Sequence, residues 1–395
     1  MPARPFPFGY TDPSETHAEL ARLREREPIS RVVLASGHEA WLVTRYEDVL
    51  LVLGDPRFSA AEAAVPGGPS LDRVPMTLPG VVQLRETDQE DHNRLRRLVA
   101  PAFSAHQAER LAPLVERTAD GLLEAMAEAG PPTDLVSALT AVLPIRVVCA
   151  WLDLPTADVP RILTWNSELT GARPADEVMA AQRKMRDYMV RTLAARRTAP
   201  GDDLLSSLVA VHDEEGTLDE PELVGLGLAI VFVGHTSASH LITASVDGLL
   251  RRPEQWSLLR RHPELLPEAV EEMLRWHLVL TDGRLRVATE DVRLAGVLIR
   301  AGDPVVASIN AANRDAAVYP NPDRFDPRRS GRPNLAFGHG IHRCLAAYLV
   351  RVELRVCLAR LLDRFPELRS AAPGSGPRWK DQPRMQGMTE LPVTW

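Results

Sequence analysis

The sequence predicts a mainly α chain with a minor β portion. Three observations carry that prediction. Helix-period patterning fills most of residues 91-276 and returns over 344-365. Within it, Glu222 to Arg251 runs without a proline and is apolar on nearly every face, the mark of a helix buried through the middle of a large fold. Short alternating segments near 29-60 and 284-310, divided by glycine-bearing turns, have the period of two that strands require. With 395 residues and 45% hydrophobic composition the chain can bury a large core, and no linker divides it, so one domain over 1-395 is expected.

The elements follow in order. Ile29 to Thr44 alternates around Ser36-Gly37 and reads as a β-hairpin, followed by a short helix from Tyr46 to Leu53. Ser59 to Gly80, with its Pro/Gly-containing stretch Ala64 to Ser70, has no period and reads as a loop able to cover a pocket. Helical patterning runs from Asp91 to about Gly130 with Pro101 interrupting, then over Leu135 to Leu152, Asp176 to Arg197 and Asp202 to Val211. The long central helix starts at Asp219 or Glu220, ahead of Pro221. After a helix from Glu264 to Trp276, strands are expected at Arg284 to Ala288, Val292 to Ile299 and Pro304 to Ile309, with turns at Ala295-Gly296 and Ala301-Gly302. A last helix runs from Cys344 to about Phe365.

Composition excludes several classes. A net charge of −7 and a pI near 5.9 argue against nucleic acid as a partner. No run of about eighteen apolar residues is seen, and Met1-Pro-Ala-Arg-Pro lacks the apolar core of a signal peptide, which implies a cytoplasmic protein with no membrane partner. The three cysteines form no disulfide pattern. Basic residues are nearly all arginine, Lys184 and Lys380 being the only lysines, a bias typical of high-G+C bacterial genomes.

Phe337-Gly-His-Gly-Ile-His-Arg-Cys344-Leu-Ala places one thiol beyond a glycine-bearing turn and just before an amphipathic stretch. A cysteine near a helix N-terminus faces unpaired amides and the positive end of the dipole, which favour the thiolate. Gly338 and Gly340 let the backbone fold beneath the sulfur, and Phe337 offers a flat apolar face to a flat cofactor. The segment resembles the haem-binding loop of the cytochrome P-450 haem-thiolate monooxygenases, with Cys344 at the axial-ligand position; Ala346 stands where that loop usually has a second glycine. Two other readings exist. A cysteine on an apolar stretch is usually a core residue, which suits Cys149 and Cys357; and a zinc site of His339, His342 and Cys344 would need a fourth ligand that is not nearby.

Further segments extend the resemblance over roughly residues 10-395. Glu272 and Arg275 lie three apart on a helix and resemble the family's E-x-x-R, and Asn321-Pro-Asp-Arg-Phe325 resembles the segment that adds a second arginine, here Arg324. His92 and Arg96 fall on one helix face; the resemblance makes them partners of the haem propionates, together with Arg286 and His342.

One segment departs. Where the family usually has an acid and an alcohol that relay protons to the oxygen being activated, this chain reads Val233-Gly-His-Thr-Ser-Ala-Ser239. Gly234 keeps the clearance for oxygen, Thr236 takes the acid's place and Ser237 the alcohol's. A Ser237 hydroxyl bonding to the carbonyl four residues earlier could open the helix locally. Protons would then arrive through water, a substrate group, or less readily His235 or His240.

The resemblance therefore implies the cytochrome P-450 fold, with haem b between the long central helix and the cysteine-loop helix and its iron bound by Cys344. It implies a soluble bacterial haem-thiolate monooxygenase that uses O2 and electrons from a separate ferredoxin and ferredoxin reductase, with no fused flavin domain. Arg97, Arg343 and Arg351 are candidates for the ferredoxin-docking patch. The substrate would be a medium-to-large, mainly apolar small molecule of secondary metabolism, contacted by Ala61 to Val82, Ser167 to Glu177, Ala229 to Ser237, Leu278 to Asp282 and Gln386 to Met388. The expected assembly is a monomer. The missing acid keeps two alternatives in view: oxidative radical coupling of an aromatic substrate without oxygen insertion, and a non-catalytic haem sensor or carrier.

Overall fold

The computed structural model describes residues 4–8, 13–71, 84, 87–170, 174–277, 283–373, 378–379 and 387–395. The chain divides into two compact units, each built from discontinuous segments: Met1–Thr77, Leu84–Arg96 and Glu271–Leu345 form the first, and Leu78–Gln83, Arg97–Val270 and Ala346–Trp395 the second.

The first unit holds a six-stranded mixed sheet. Its strands lie in the order Arg4–Phe6, Ile29–Leu34, Glu39–Val43, Pro304–Ala307, Arg284–Ala288 and Phe58–Ser59. The hairpin turns at Gly37 (φ 86°), a left-handed conformation that glycine adopts without a Cβ penalty. Glu39–Val43 then pairs in parallel with Pro304–Ala307, so Trp41 lies opposite Val305, and Val305 in turn opposite Arg286. Alternation sends Val43, Val305 and Ala307 into one apolar cluster with Val49, Val52 and Leu53 of the helix Tyr46–Gly54. The intervening residues Ala40, Leu42 and Val306 pack on the other face with Leu20 and Leu23. Those two leucines belong to a helix, Pro13–Arg26, which the patterning did not reveal because few of its residues are apolar.

The second unit is helical. Its axis is the continuous helical stretch Glu220–Leu250, which begins at a capping box in which Asp219 and Glu222 each accept the other's backbone N–H (2.7 and 3.0 Å). The stretch is not regular: α-helix to Leu228 gives way to a π-turn over Ala229–Val233 and resumes at Gly234. By length and composition it could cross a membrane, yet 82% of its apolar window is buried inside the protein, as expected of a core helix. Gly227 lets it approach the helix Ala175–Thr198 closely; a Cβ there would lie 2.5 Å from the Met189 sulfur. The helices Ala112–Ala129 and Ala347–Arg364 are linked along their exposed edges by Arg360 with Glu116 and Asp120 (3.1 and 3.3 Å). Each such pair contributes little alone.

Two further helices, Val159–Thr170 and Pro253–Arg261, were not apparent from periodicity. The last helix begins at Ala347, three residues later than expected, so Cys344 lies ahead of it rather than on it.

Candidate active site

In the first unit the cysteine loop is shaped by two left-handed glycines, Gly338 and Gly340, both with φ 72°. At Gly340 a Cβ would lie 2.5 Å from the Leu53 carbonyl oxygen, so only glycine lets the loop rest on the end of the helix Tyr46–Gly54. The Cys344 N–H donates to the Phe337 carbonyl (2.8 Å), closing the loop into a hairpin. Cys344 itself is exposed. Cys149 and Cys357 are buried, and burial pushes both their thiols up to about 12.

The first unit also holds a buried ionic network. Glu272 and Arg275 are 2% and 1% exposed and form a bidentate pair at 2.7 and 2.8 Å. Arg275 also donates to the carbonyls of Asn313 and Pro322, both at 2.9 Å. The second arginine is not the expected Arg324. Arg329 closes the network, its Nε 3.1 and 3.2 Å from the Glu272 oxygens, while Arg324 contributes only its carbonyl, which accepts from Arg329 at 2.8 Å. Asp326 and Arg328 make a tight turn that carries Arg329 back over the carboxylate, which spacing alone does not reveal.

All four residues expected at the propionates lie in this unit, and three of them, His92, Arg96 and His342, meet at the cysteine loop. Arg96 donates to the Ile341 carbonyl of the cysteine loop (3.0 Å); burial lowers its pKa, against the opposing pull of nearby Cys344. His92 and His342 meet edge to face, ring centroids 4.6 Å apart. His92 is 1% exposed; burial first, then His342 and Arg96, lower its pKa to about 4, so it is neutral at pH 7. Arg286 is 5% exposed, lowered to about 10 by burial, and donates to the Leu285 carbonyl. Among the described residues no carboxylate lies within 4 Å of the Arg96 or Arg286 guanidinium, and the buried Nδ1 atoms of His92 and His342 have no hydrogen-bond partner. The sequence did not single out Asp88, which approaches His342 Nε2 at 3.4 Å. Its only signal was an acid four residues ahead of His92.

In the second unit Thr236 is buried, and its hydroxyl accepts from Asn166 Nδ2 at 2.7 Å. Asn166 comes from the helix Val159–Thr170, so a neutral amide meets the position where an acid was expected. Ser237 is half-buried. A bond to the carbonyl four residues earlier is made by His235, whose Nδ1 meets the Val231 carbonyl at 2.9 Å, and the helix opens one turn before Ser237, at the π-turn. His240 is packed against the backbone of Gly387, where a Cβ would lie 2.3 Å from the ring. Gly234 has ordinary helical φ (−64°), and a Cβ there would meet only Val148 at 3.9 Å. Neither backbone geometry nor protein packing therefore demands glycine at that point.

Of the expected substrate-contacting segments, Leu278 to Asp282 lies wholly outside the described residues, and Ala61 to Val82, Ser167 to Glu177 and Gln386 to Met388 lie partly outside them. Arg97 is exposed, and Arg343 and Arg351 are half-buried.

The cytochrome P450 family model matches residues 248–388. Nocardicin C N-oxygenase of Nocardia uniformis subsp. tsuyamanensis is 42% identical over 395 residues, covering 99% of this chain and 98% of that protein. The chain belongs to the cytochrome P450 family. Mycinamicin IV hydroxylase/epoxidase of Micromonospora griseorubida is 43% identical over 398 residues, covering 99% and 98%. The crystal structure of HinD with NMFT and NO superposes with a TM-score of 0.93 at 42% identity, over 100% of this chain and 99% of that one. This P450 is an oxidoreductase of the haem monooxygenase kind, and the family binds haem through a cysteine thiolate. Oxidative coupling and a non-catalytic carrier are not favoured by these relatives. The residues present fit such a group: among the described residues, two buried imidazole nitrogens without a partner and two guanidinia without a carboxylate match a cofactor bearing two carboxylates.

Proposed function

We propose that this P450 oxidises a medium-to-large, mainly apolar small molecule of secondary metabolism, as one domain and a cytoplasmic monomer, with electrons from a ferredoxin and its reductase. The observation that carries the reading is the left-handed glycine loop closed by Cys344 N–H on Phe337, with Arg96 tied to the same loop. In this reading Cys344 ligates the iron of haem b, Gly338 shapes the loop beneath it, and Phe337 lies against the macrocycle. His92, Arg96, Arg286 and His342 hold the propionates. When bound, the haem supplies the activation of O2, to which a thiolate ligand contributes electron density.

The remaining roles belong to side chains of the second unit. Gly234 leaves room for oxygen. Thr236 takes a hydrogen bond from Asn166, which orients its hydroxyl to donate, and Ser237 holds a water. No carboxylate stands at these positions, so protons come from water or from the substrate itself. Among the described residues no disulfide forms, which agrees with a reducing compartment. The names of two relatives, nocardicin C N-oxygenase and mycinamicin IV hydroxylase/epoxidase, support the substrate class.

The test is turnover with surrogate ferredoxin and reductase over a panel of macrolide, peptide and terpenoid scaffolds. NADPH-dependent gain of one oxygen atom by any member supports monooxygenation. Products that are dimers or adducts without added oxygen would overturn it in favour of coupling.

A further inference from the structure

The first unit contains one carboxylate among the cations of the proposed haem edge, and neither the ionic network nor the family resemblance accounts for it. Asp88 lies just ahead of the helix Gln89–Val99 that carries His92 and Arg96. Its Oδ1 accepts from the Ala60 N–H at 3.1 Å and faces His342 Nε2 at 3.4 Å. Its Oδ2 accepts from the Ala61 N–H at 3.2 Å and from the Ser59 hydroxyl. The same hydroxyl accepts from the Glu62 N–H at 2.9 Å, so one carboxylate orders the whole turn that leaves the sheet. Ser59 pairs with Val287, beside Arg286 on its strand. Burial works against the charge of Asp88, but donors from His342, Ser59, Ala60 and Ala61 outweigh it and hold the carboxyl well below the usual range.

An anion at this place does two things. By accepting from His342 Nε2 it fixes the ring's plane, which leaves Nδ1, buried and without a partner among the described residues, aimed in one direction. It also ties to that ring the turn from which the chain enters the segment after Ala61.

We propose that Asp88 is a positioning residue of the haem edge, a single carboxylate that orients His342 and fastens the Ser59–Ala61 turn to it. This deepens the proposed function and rests on it, since His342 must face a haem propionate for the orientation to matter.

The test is the rate of haem transfer from the ferric holoprotein to excess apomyoglobin, for wild type, Asp88→Asn, His342→Ala and the double variant. Asp88→Asn removes the charge with little change of shape and is expected to speed haem loss roughly tenfold. If Asp88 acts through His342, the double variant loses haem no faster than His342→Ala alone. Should Asp88→Asn not accumulate as holoprotein, Asp88→Glu, which keeps the anion but displaces it, enters the same cycle. Effects that multiply in the double variant, or an unchanged rate in Asp88→Asn, overturn the proposal. Both outcomes are read on protein whose reduced carbon monoxide complex shows the thiolate Soret band. Without that band the haem-thiolate reading fails first.

Discussion

The cysteine loop and the middle of the central helix are built on opposite electrostatic terms. Around the loop, ionised groups are buried and paired or are held beside an anion: Glu272 with Arg275 and Arg329, and Asp88 beside His342. In the helix, the position that the family gives to an acid is a threonine bonded to an asparagine, and the histidines on either side are packed or bonded to backbone. The lesson is that the proposed cofactor edge is built on fixed charge, whereas the proposed oxygen side is built on neutral dipoles. A buried carboxylate at residue 236 would require a cation or several donors, and Asn166 brings only an amide.

Breaking the charged side should have the largest effect. Arg275→Ala strands Glu272, 2% exposed, with Arg329 as its remaining cation, and is expected to cost about 3 to 5 kcal/mol, measured by urea unfolding of the haem-free protein. An effect below about 1 kcal/mol would make the network a solvated pair.

The helical unit also holds a buried acid whose neutral form burial favours. Glu353 is 1% exposed, its Oε1 has no hydrogen-bond partner among the described residues, and burial raises its pKa to about 8. A carboxyl raised in the folded state contributes stability that is complete below its ordinary pKa near 4.5 and is lost as pH rises towards 8. Glu353→Gln cannot ionise, so its stability relative to wild type should climb between pH 5 and pH 8, by on the order of 3 kcal/mol. Equal pH profiles for the two proteins would show that Glu353 is already ionised.

The smallest effect concerns the neutral pair itself. Asn166→Ala and Thr236→Val should each lower stability, and their double-mutant cycle should show about 1 kcal/mol of coupling. With surrogate electron donors, Asn166→Ala should also divert a larger share of NADPH into hydrogen peroxide. A purely additive cycle with unchanged peroxide would separate Asn166 from Thr236.

Much of this contrast was legible in the chain. Glu272 and Arg275 stood at i and i+3, His92 and Arg96 at i and i+4, and the glycines of the cysteine loop announced their positive φ by residue type. Arg329 was not, because an irregular turn brings it to Glu272 and local spacing is silent about such turns. Asn166 was hidden with the helix that carries it, in which Pro160 and scattered polar residues blur the period. The π-turn at Ala229–Val233 left no trace either: where every face is apolar, an added residue per turn does not disturb the pattern.

The most direct measurement is the absorption spectrum of the reduced protein under carbon monoxide, for wild type and Cys344→His. A thiolate ligand predicts the strongly red-shifted Soret band in wild type and its loss in Cys344→His, with haem still bound through the charged edge. A wild-type spectrum without that band, or a band that survives the substitution, would contradict the assignment of Cys344.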